Sequence, residues 1–173
     1  MNELQKRYPE DVAAILKKYP PEFRRSAIMP LLYLAQRQDG HVSGRSVTDI
    51  AELTGLSTTD VTSVVGFYTL FHAEAGGRYR IQVCTDLPCA LRGADDFLAL
   101  LQKELGISVG ETTPDGMFTI EEVKCLAACH RAPMFQVQGD GDITYHEHQT
   151  VESAMQVLKG LRQQAQKSGK EAA

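Results

Sequence analysis

The chain has 173 residues, 43% of them hydrophobic, and a formal net charge of -4, which allows one domain or two small ones with a buried core. A mildly acidic chain has no general attraction for phosphate backbones or anionic lipid, so nucleic acid and membrane surfaces are set aside as partners. No apolar run reaches the roughly 18 residues of a membrane span, and MNELQKRYPEDVAAILKKYP lacks the uninterrupted apolar segment of a secretory signal. A cytoplasmic protein without membrane insertion is expected. In that reducing compartment four cysteines point to metal ligands or redox thiols rather than structural disulfides.

The first part reads as helices. DVAAILKKY forms one, and after Pro20-Pro21 a longer segment EFRRSAIMPLLYLAQRQ follows, with a kink expected at Pro30. Ala27, Ile28, Leu31, Leu32, Leu34 and Ala35 wrap around much of that helix, a breadth that implies burial on two sides, in a bundle or against a partner. Ser46 to Asp49 and Ser57 to Asp60 share the Ser-x-x-Asp form of a helix start. The helix after the first carries Val47, Ile50, Ala51 and Leu53 and ends near Gly55. The next carries Val61, Val64, Val65, Tyr68 and Phe71 on one stripe, and the pattern breaks at Gly76-Gly77.

From Tyr79 the period changes to two, and the strand ends at Cys84. A helix from about Ala90 to Leu105 presents Leu91, Ala94, Phe97, Leu98 and Leu101 at helical spacing. MFTIEEVKC, MFQVQ and DITYHE read as three further strands, the last two joined by a hairpin at Gly139-Asp140-Gly141. A final helix runs from Val151 to Leu161, and the tail QQAQKSGKEAA is polar and expected to be disordered. The predicted division is a helical domain over 1–76, a sheet domain over 77–163 and a tail over 164–173. The fold class is α+β: a helical bundle followed by β-α-β-β-α, which is the thioredoxin-like layout.

All four cysteines lie in the sheet domain, as Cys84-x4-Cys89 and Cys125-x3-Cys129 separated by 35 residues. Each pair follows a predicted strand, so if those strands are neighbours the thiols converge at one sheet edge. Three chemistries use such a set. Structural zinc favours Cys-x2-Cys knuckles, although wider spacings occur; a diiron cluster is a larger object that suits separate, wider loops; dithiol redox chemistry prefers Cys-x2-Cys at a helix N-terminus. The x4 and x3 loops fit the larger object best, and zinc or unligated thiols remain open on spacing alone.

The stretches IQVCTDLPCALRGAD, GETTPDGMFTIEEVKCLAACHRAPMFQV, RRSAIMPLLYLAQ and GFYTLF resemble the thioredoxin-like 2Fe-2S subunit of the NADH dehydrogenase module of respiratory complex I. The resemblance runs from about Glu22 to Leu161. It implies that Cys84, Cys89, Cys125 and Cys129 ligate one 2Fe-2S cluster, and that a separate partner subunit holds FMN and NADH and exchanges single electrons with it. It also implies a place in NADH:quinone oxidoreductase, peripheral to the inner membrane through that complex. The same module occurs as the small subunit of NAD-linked hydrogenases and formate dehydrogenases, which is the alternative parent.

Other side chains near the cysteines read more plainly. Arg92 and Arg131 are candidate sources of positive field at the site and otherwise solvated charges. His130 is a rim histidine, since four cysteines complete a cluster, and His146 and His148 sit at a strand end without a third ligand. No GxGxxG or phosphate loop is present, so NADH is not expected to bind this chain directly. A zinc-binding helix-turn-helix regulator is the distant alternative for SVTDIAELTGLSTTDVTSVVGFYTLF. Its second helix, Thr58 to Phe71, contains Asp60 and no basic residue to read bases.

Overall fold

The computed structural model describes residues 2–171, with the side chains of all of these except residue 38 and residues 168–171. The chain divides into two units, Met1–Ala75 and Gly76–Ala173.

The first unit is helical: α1 (Glu3–Arg7), α2 (Pro9–Lys18), a 3-10 segment Pro21–Ala27, α3 (Ile28–Asp39), α4 (Gly44–Thr54) and α5 (Thr58–Phe67). Pro30 does not kink α3. It occupies the third position of that helix, where the missing N–H would have had no partner inside the helix. The irregularity lies upstream, at Phe23 in the 3-10 segment (φ -117°, ψ 20°). The broad apolar girdle of α3 is consumed within this unit: Ile28, Leu31, Leu32, Leu34 and Ala35 all join one core with Leu4, Val12, Val42, Ile50 and Val61.

Helix starts are half legible in the sequence. Ser57 makes the predicted capping box with Asp60, but α4 begins on Ser43, whose Oγ accepts the Ser46 N–H at 3.1 Å; Ser46 is inside the helix. That shift frees Asp49 for another task. Its side chain is 4% exposed, its Oδ2 accepts the N–H groups of Glu3 and Leu4 at 3.0 Å each, and its Oδ1 accepts from Arg45 Nε at 3.2 Å. Asp49 thus caps α1 from 45 or more positions away in sequence.

The second unit contains β1 (Tyr79–Cys84), a short α6 (Leu87–Ala90), α7 (Ala94–Leu105), β2 (Phe118–Val123), β3 (Phe135–Gly139), β4 (Asp142–His146) and α8 (Val151–Glu171). Among the described residues the strands form a four-stranded sheet in the order β2-β1-β3-β4. β1 pairs in parallel with β2 and antiparallel with β3. The β3-β4 hairpin turns through Asp140 and Gly141, both at positive φ (52° and 83°), as a two-residue Asp-Gly turn requires. Tyr79, Ile81, Val83, Phe118, Ile120, Phe135 and Val137 share a core with Phe97, Leu98 and Leu101 of α7 and Ala154 and Leu158 of α8.

Two expectations are corrected here. The helix read as starting near Ala90 is two helices, because Gly93 (φ 87°) interrupts it in a conformation that L side chains rarely adopt. The last helix continues ten residues past Leu161 to Glu171, through residues expected to lie in a disordered tail. Glutamine, alanine and lysine are sound helix formers, Ala165 packs into the core, and Arg162 ties the helix to Asp115 at 3.0 Å. The final residues of that tail, 172–173, lie outside the described residues. No helix among the described residues is long and apolar enough to cross a membrane.

Removing the remote cap has a measurable effect. Asp49→Ala leaves two backbone donors of α1 and the Arg45 guanidinium without their buried acceptor, and should destabilise the helical unit by about 1–3 kcal/mol. Chemical denaturation followed by helical circular dichroism measures it; an unchanged midpoint would show that α1 is held by apolar contacts alone.

Candidate metal centre

β1 and β2 run in parallel with Cys84 opposite Val123, so the loops leaving both strands emerge at the same sheet edge. The loop after β1 carries Cys89 within α6, a turn nucleated when Asp86 Oδ1 accepts the Leu87 N–H at 3.0 Å, with Pro88 at the second helical position. Cys89 therefore lies inside its own short helix rather than ahead of a long one. The loop after β2 carries Cys125 and reaches Cys129 at the start of the 3-10 turn Cys129–Arg131.

The structure brings the thiols of Cys84, Cys89 and Cys129 together and sets the Cys125 backbone N–H against Cys84. The Cys84 thiol accepts hydrogen bonds from the backbone N–H groups of Asp86, Leu126 and Cys125 and is hydrogen-bonded to the Cys89 thiol; the Cys89 thiol is hydrogen-bonded in turn to that of Cys129, and all four cysteines are free. Cys84 and Cys89 are each 1% exposed, walled by Ala94, Ala128, Ala132 and Met134. Cys125 is exposed and Cys129 half-buried. The site thus has a dry side on the first pair and an open side on the second. Among the described residues no group of three or more His, Cys, Asp or Glu side chains is arranged to hold one metal ion.

The two buried thiols respond oppositely to this setting. Burial pushes Cys84 upward, but the N–H donors of Asp86 and Leu126, the Cys89 thiol and the Cys125 N–H together outweigh it and lower its pKa. Cys89 is raised to about 12, first by burial, then by its hydrogen bond to Cys84 and the neighbouring charge there. The loop geometry that delivers two of these donors is unusual: Cys125 and Ala127 both have left-handed φ, 55° and 59°, and successive N–H groups in such a run converge on an anion. Two cysteine pairs on adjoining loops, with amide donors directed at the Cys84 sulfur, fit the donor set of an iron-sulfur centre.

The surroundings separate the remaining candidates. Arg92 Nε donates to the Ala132 carbonyl at 3.3 Å, fastening the α6-α7 junction to the second loop. Arg131 pairs with Glu147 and donates to His130 Nε2, so its charge is directed along the rim. His146 stacks on Phe135 at 4.9 Å, and burial lowers its pKa; it is a packing residue rather than a solvated strand end. His148 is exposed. Sequence reasoning missed the mouth of the site: Lys124 Nζ donates to Thr85 Oγ1 at 2.9 Å and to Glu122 Oε1 at 2.5 Å, while Thr85 Oγ1 donates to the same Glu122 oxygen at 2.6 Å. It also placed Leu91 on a core face. Leu91 is 80% exposed and Leu87 69%, because α6 turns independently of α7.

Comparison with known proteins decides the family. The family model of the thioredoxin-like 2Fe-2S ferredoxins matches residues 12–162. The chain belongs to that family. NADH-quinone oxidoreductase subunit 2 of Thermus thermophilus is 43% identical over 145 residues, covering 84% of this chain and 78% of that one. An NADH-quinone oxidoreductase subunit of Rickettsia conorii is 41% identical over 149 residues, covering 86% and 87%. Among solved structures, an NAD+-reducing NiFe hydrogenase in the air-oxidised state matches with a TM-score of 0.64 at 15% identity. That match covers 78% of this chain but only 23% of the hydrogenase chain, a likeness of fold. The expectation of a thioredoxin-like 2Fe-2S ferredoxin is borne out.

The left-handed loop generates a prediction. Ala127→Gly should keep or raise the denaturation midpoint, since glycine adopts that φ freely, whereas Ala127→Val, β-branched at positive φ, should lower stability by about 1–2 kcal/mol. Equal midpoints for the two variants would show that the loop relaxes away from this conformation.

Proposed function

We propose that this chain is the one-electron carrier of an NADH:quinone oxidoreductase, in which Cys84, Cys89, Cys125 and Cys129 hold a single 2Fe-2S cluster beside an FMN- and NADH-binding subunit. The convergence of two cysteine pairs on one sheet edge, in a chain of this family whose relatives are named as NADH-quinone oxidoreductase subunits, is the observation that carries this reading. A bound 2Fe-2S cluster supplies one-electron redox chemistry. The chain's own residues do the rest. Cys84 and Cys89 supply thiolates from the dry side, where Ala94, Ala128, Ala132 and Met134 exclude water. The N–H groups of Asp86, Leu126 and Cys125 offset negative charge on sulfur. Cys125 and Cys129 supply thiolates on the open side.

Exposed Leu87 and Leu91 lie two residues to either side of buried Cys89, which supports the rim as the surface a flavin-bearing subunit approaches, since electron exchange needs short range. The apolar girdle of the helix around Pro30, whose breadth implied burial in a bundle or against a partner, is buried in its own unit. The same reading makes the protein cytoplasmic and attached to the inner membrane only through its complex. An NAD-linked hydrogenase module is the second reading, favoured by the hydrogenase fold match.

Two measurements test the assignment. Each single Cys→Ser replacement at positions 84, 89, 125 and 129 should abolish or severely weaken the visible chromophore while the sheet unit still folds, because the serine oxygen is a harder ligand; two silent positions would contradict a four-cysteine centre. In an anaerobic titration the purified chain should take up about one electron from dithionite, read as about one unpaired spin by low-temperature EPR. NADH alone should leave it oxidised, because a hydride carries two electrons and this chain has no flavin to divide them. Rapid reduction by NADH without added flavoprotein would mean that the chain itself binds nucleotide.

A further inference from the structure

Strand alternation puts Arg80, Gln82 and Cys84 of β1 on the face opposite Tyr79, Ile81 and Val83, the residues that pack on α7 and α8. The ladders set Glu121 of β2 and Gln136 of β3 on either side of Gln82. These side chains form a closed row. Arg80 Nη1 donates to Glu121 Oε1 at 2.5 Å, Gln82 Nε2 donates to Glu121 Oε2 at 2.8 Å, and Gln136 Nε2 donates to Gln82 Oε1. The Arg80 and Glu121 side chains are only 10% and 22% exposed. Gly76 lies against the row so closely that a Cβ there would come within 2.8 Å of the Arg80 guanidinium and 2.9 Å of Thr119 Oγ1.

A buried ion pair gives little net stability over apolar residues of similar volume, because desolvation offsets the attraction. What it does give is a fixed pair of charges in a poorly screened place. Glu121 stands one strand across and two residues back from Cys84, about 8 Å away by strand spacing. Arg80 lies two residues further back along β1. The redox site that we read at Cys84 gains negative charge on reduction, so it feels both charges, the nearer carboxylate more strongly.

We propose that Glu121 and Arg80 are positioning residues for charge that set the reduction potential of the centre at Cys84, Glu121 holding it down and Arg80 holding it up. The proposal rests on the cysteine assignment above. Removing one unit charge at about 8 Å, at an effective dielectric of about 20, changes the reduction equilibrium by about thirtyfold, which is about 90 mV at 59 mV per tenfold for a one-electron couple.

The test uses the loaded full chain and its midpoint potential, followed by the optical and EPR signals. Glu121→Gln should raise the potential by about thirtyfold in equilibrium constant, and Arg80→Gln should lower it severalfold. Both substitutions break the same ion pair, so a purely structural role predicts shifts of the same sign, whereas the electrostatic role predicts opposite signs. Same-sign shifts, or no shift with iron retained, would overturn the proposal. If either single variant fails to fold, the charge-swapped Arg80→Glu/Glu121→Arg chain keeps a pair and should lie above the wild type; an unshifted or lowered potential there overturns it equally. Wild-type chain with no iron and no acid-labile sulfide would instead remove the cysteine assignment itself.

Discussion

The parallel ladder between β1 and β2 is the constraint on which the site depends. Parallel strands send their C-terminal loops to the same edge, and the register that sets Cys84 against Val123 fixes how far each loop travels before meeting the other. A one-residue slip would turn Cys84 toward the α7 and α8 core and put Val83 at the site. That slip is opposed on both faces. Ile81 and Ile120 are fully buried on one, and the Arg80, Glu121, Gln82 and Gln136 side chains are joined on the other. Among the described residues no buried side-chain nitrogen or oxygen lacks a partner, so the polar row adds a register signal without an unsatisfied group.

From that edge the two loops divide the work. The first builds a dry wall with a short helix capped by Asp86, and the second, left-handed at Cys125 and Ala127, directs the amides of Cys125 and Leu126 at the Cys84 sulfur. The asymmetry has a functional sense. A centre closed on all sides would be insulated from any partner, and one open on all sides would lose its sulfur hydrogen bonds to water. Here the Cys84 and Cys89 thiols are enclosed while Cys125 stays exposed, and Leu87 and Leu91, two residues to either side of Cys89, are exposed as well.

What could be read from the chain follows from the range of the forces involved. The strand ending at Cys84, the hairpin turning at Asp140-Gly141 and the Ser57 capping box are all written within a few residues, and all are legible. Bringing both cysteine loops to one edge needs the β1-β2 pairing as well, which spacing can only make conditional. Misses come where local signals compete or where long-range contacts decide. Ser46 looks like a cap, but Ser43 lies three residues earlier and takes the role, leaving Asp49 to a partner helix far away in sequence. Leu91 fits a helical apolar stripe only if the helix is continuous, and the φ of Gly93 breaks it. The polar end of α8 carries few apolar residues, yet Ala165 and Arg162 anchor it through contacts no local pattern announces.

On the reading proposed above, the four cysteines hold a two-iron, two-sulfide centre rather than a single ion or a reactive thiol pair. Quantifying metals and acid-labile sulfide in the anaerobically purified full-length chain, with Mössbauer spectroscopy of the iron-57 protein, addresses it most directly. The account predicts about two irons and two sulfides per chain in sulfur-ligated sites that share no net spin when oxidised. One zinc or one iron per chain with no labile sulfide would contradict it.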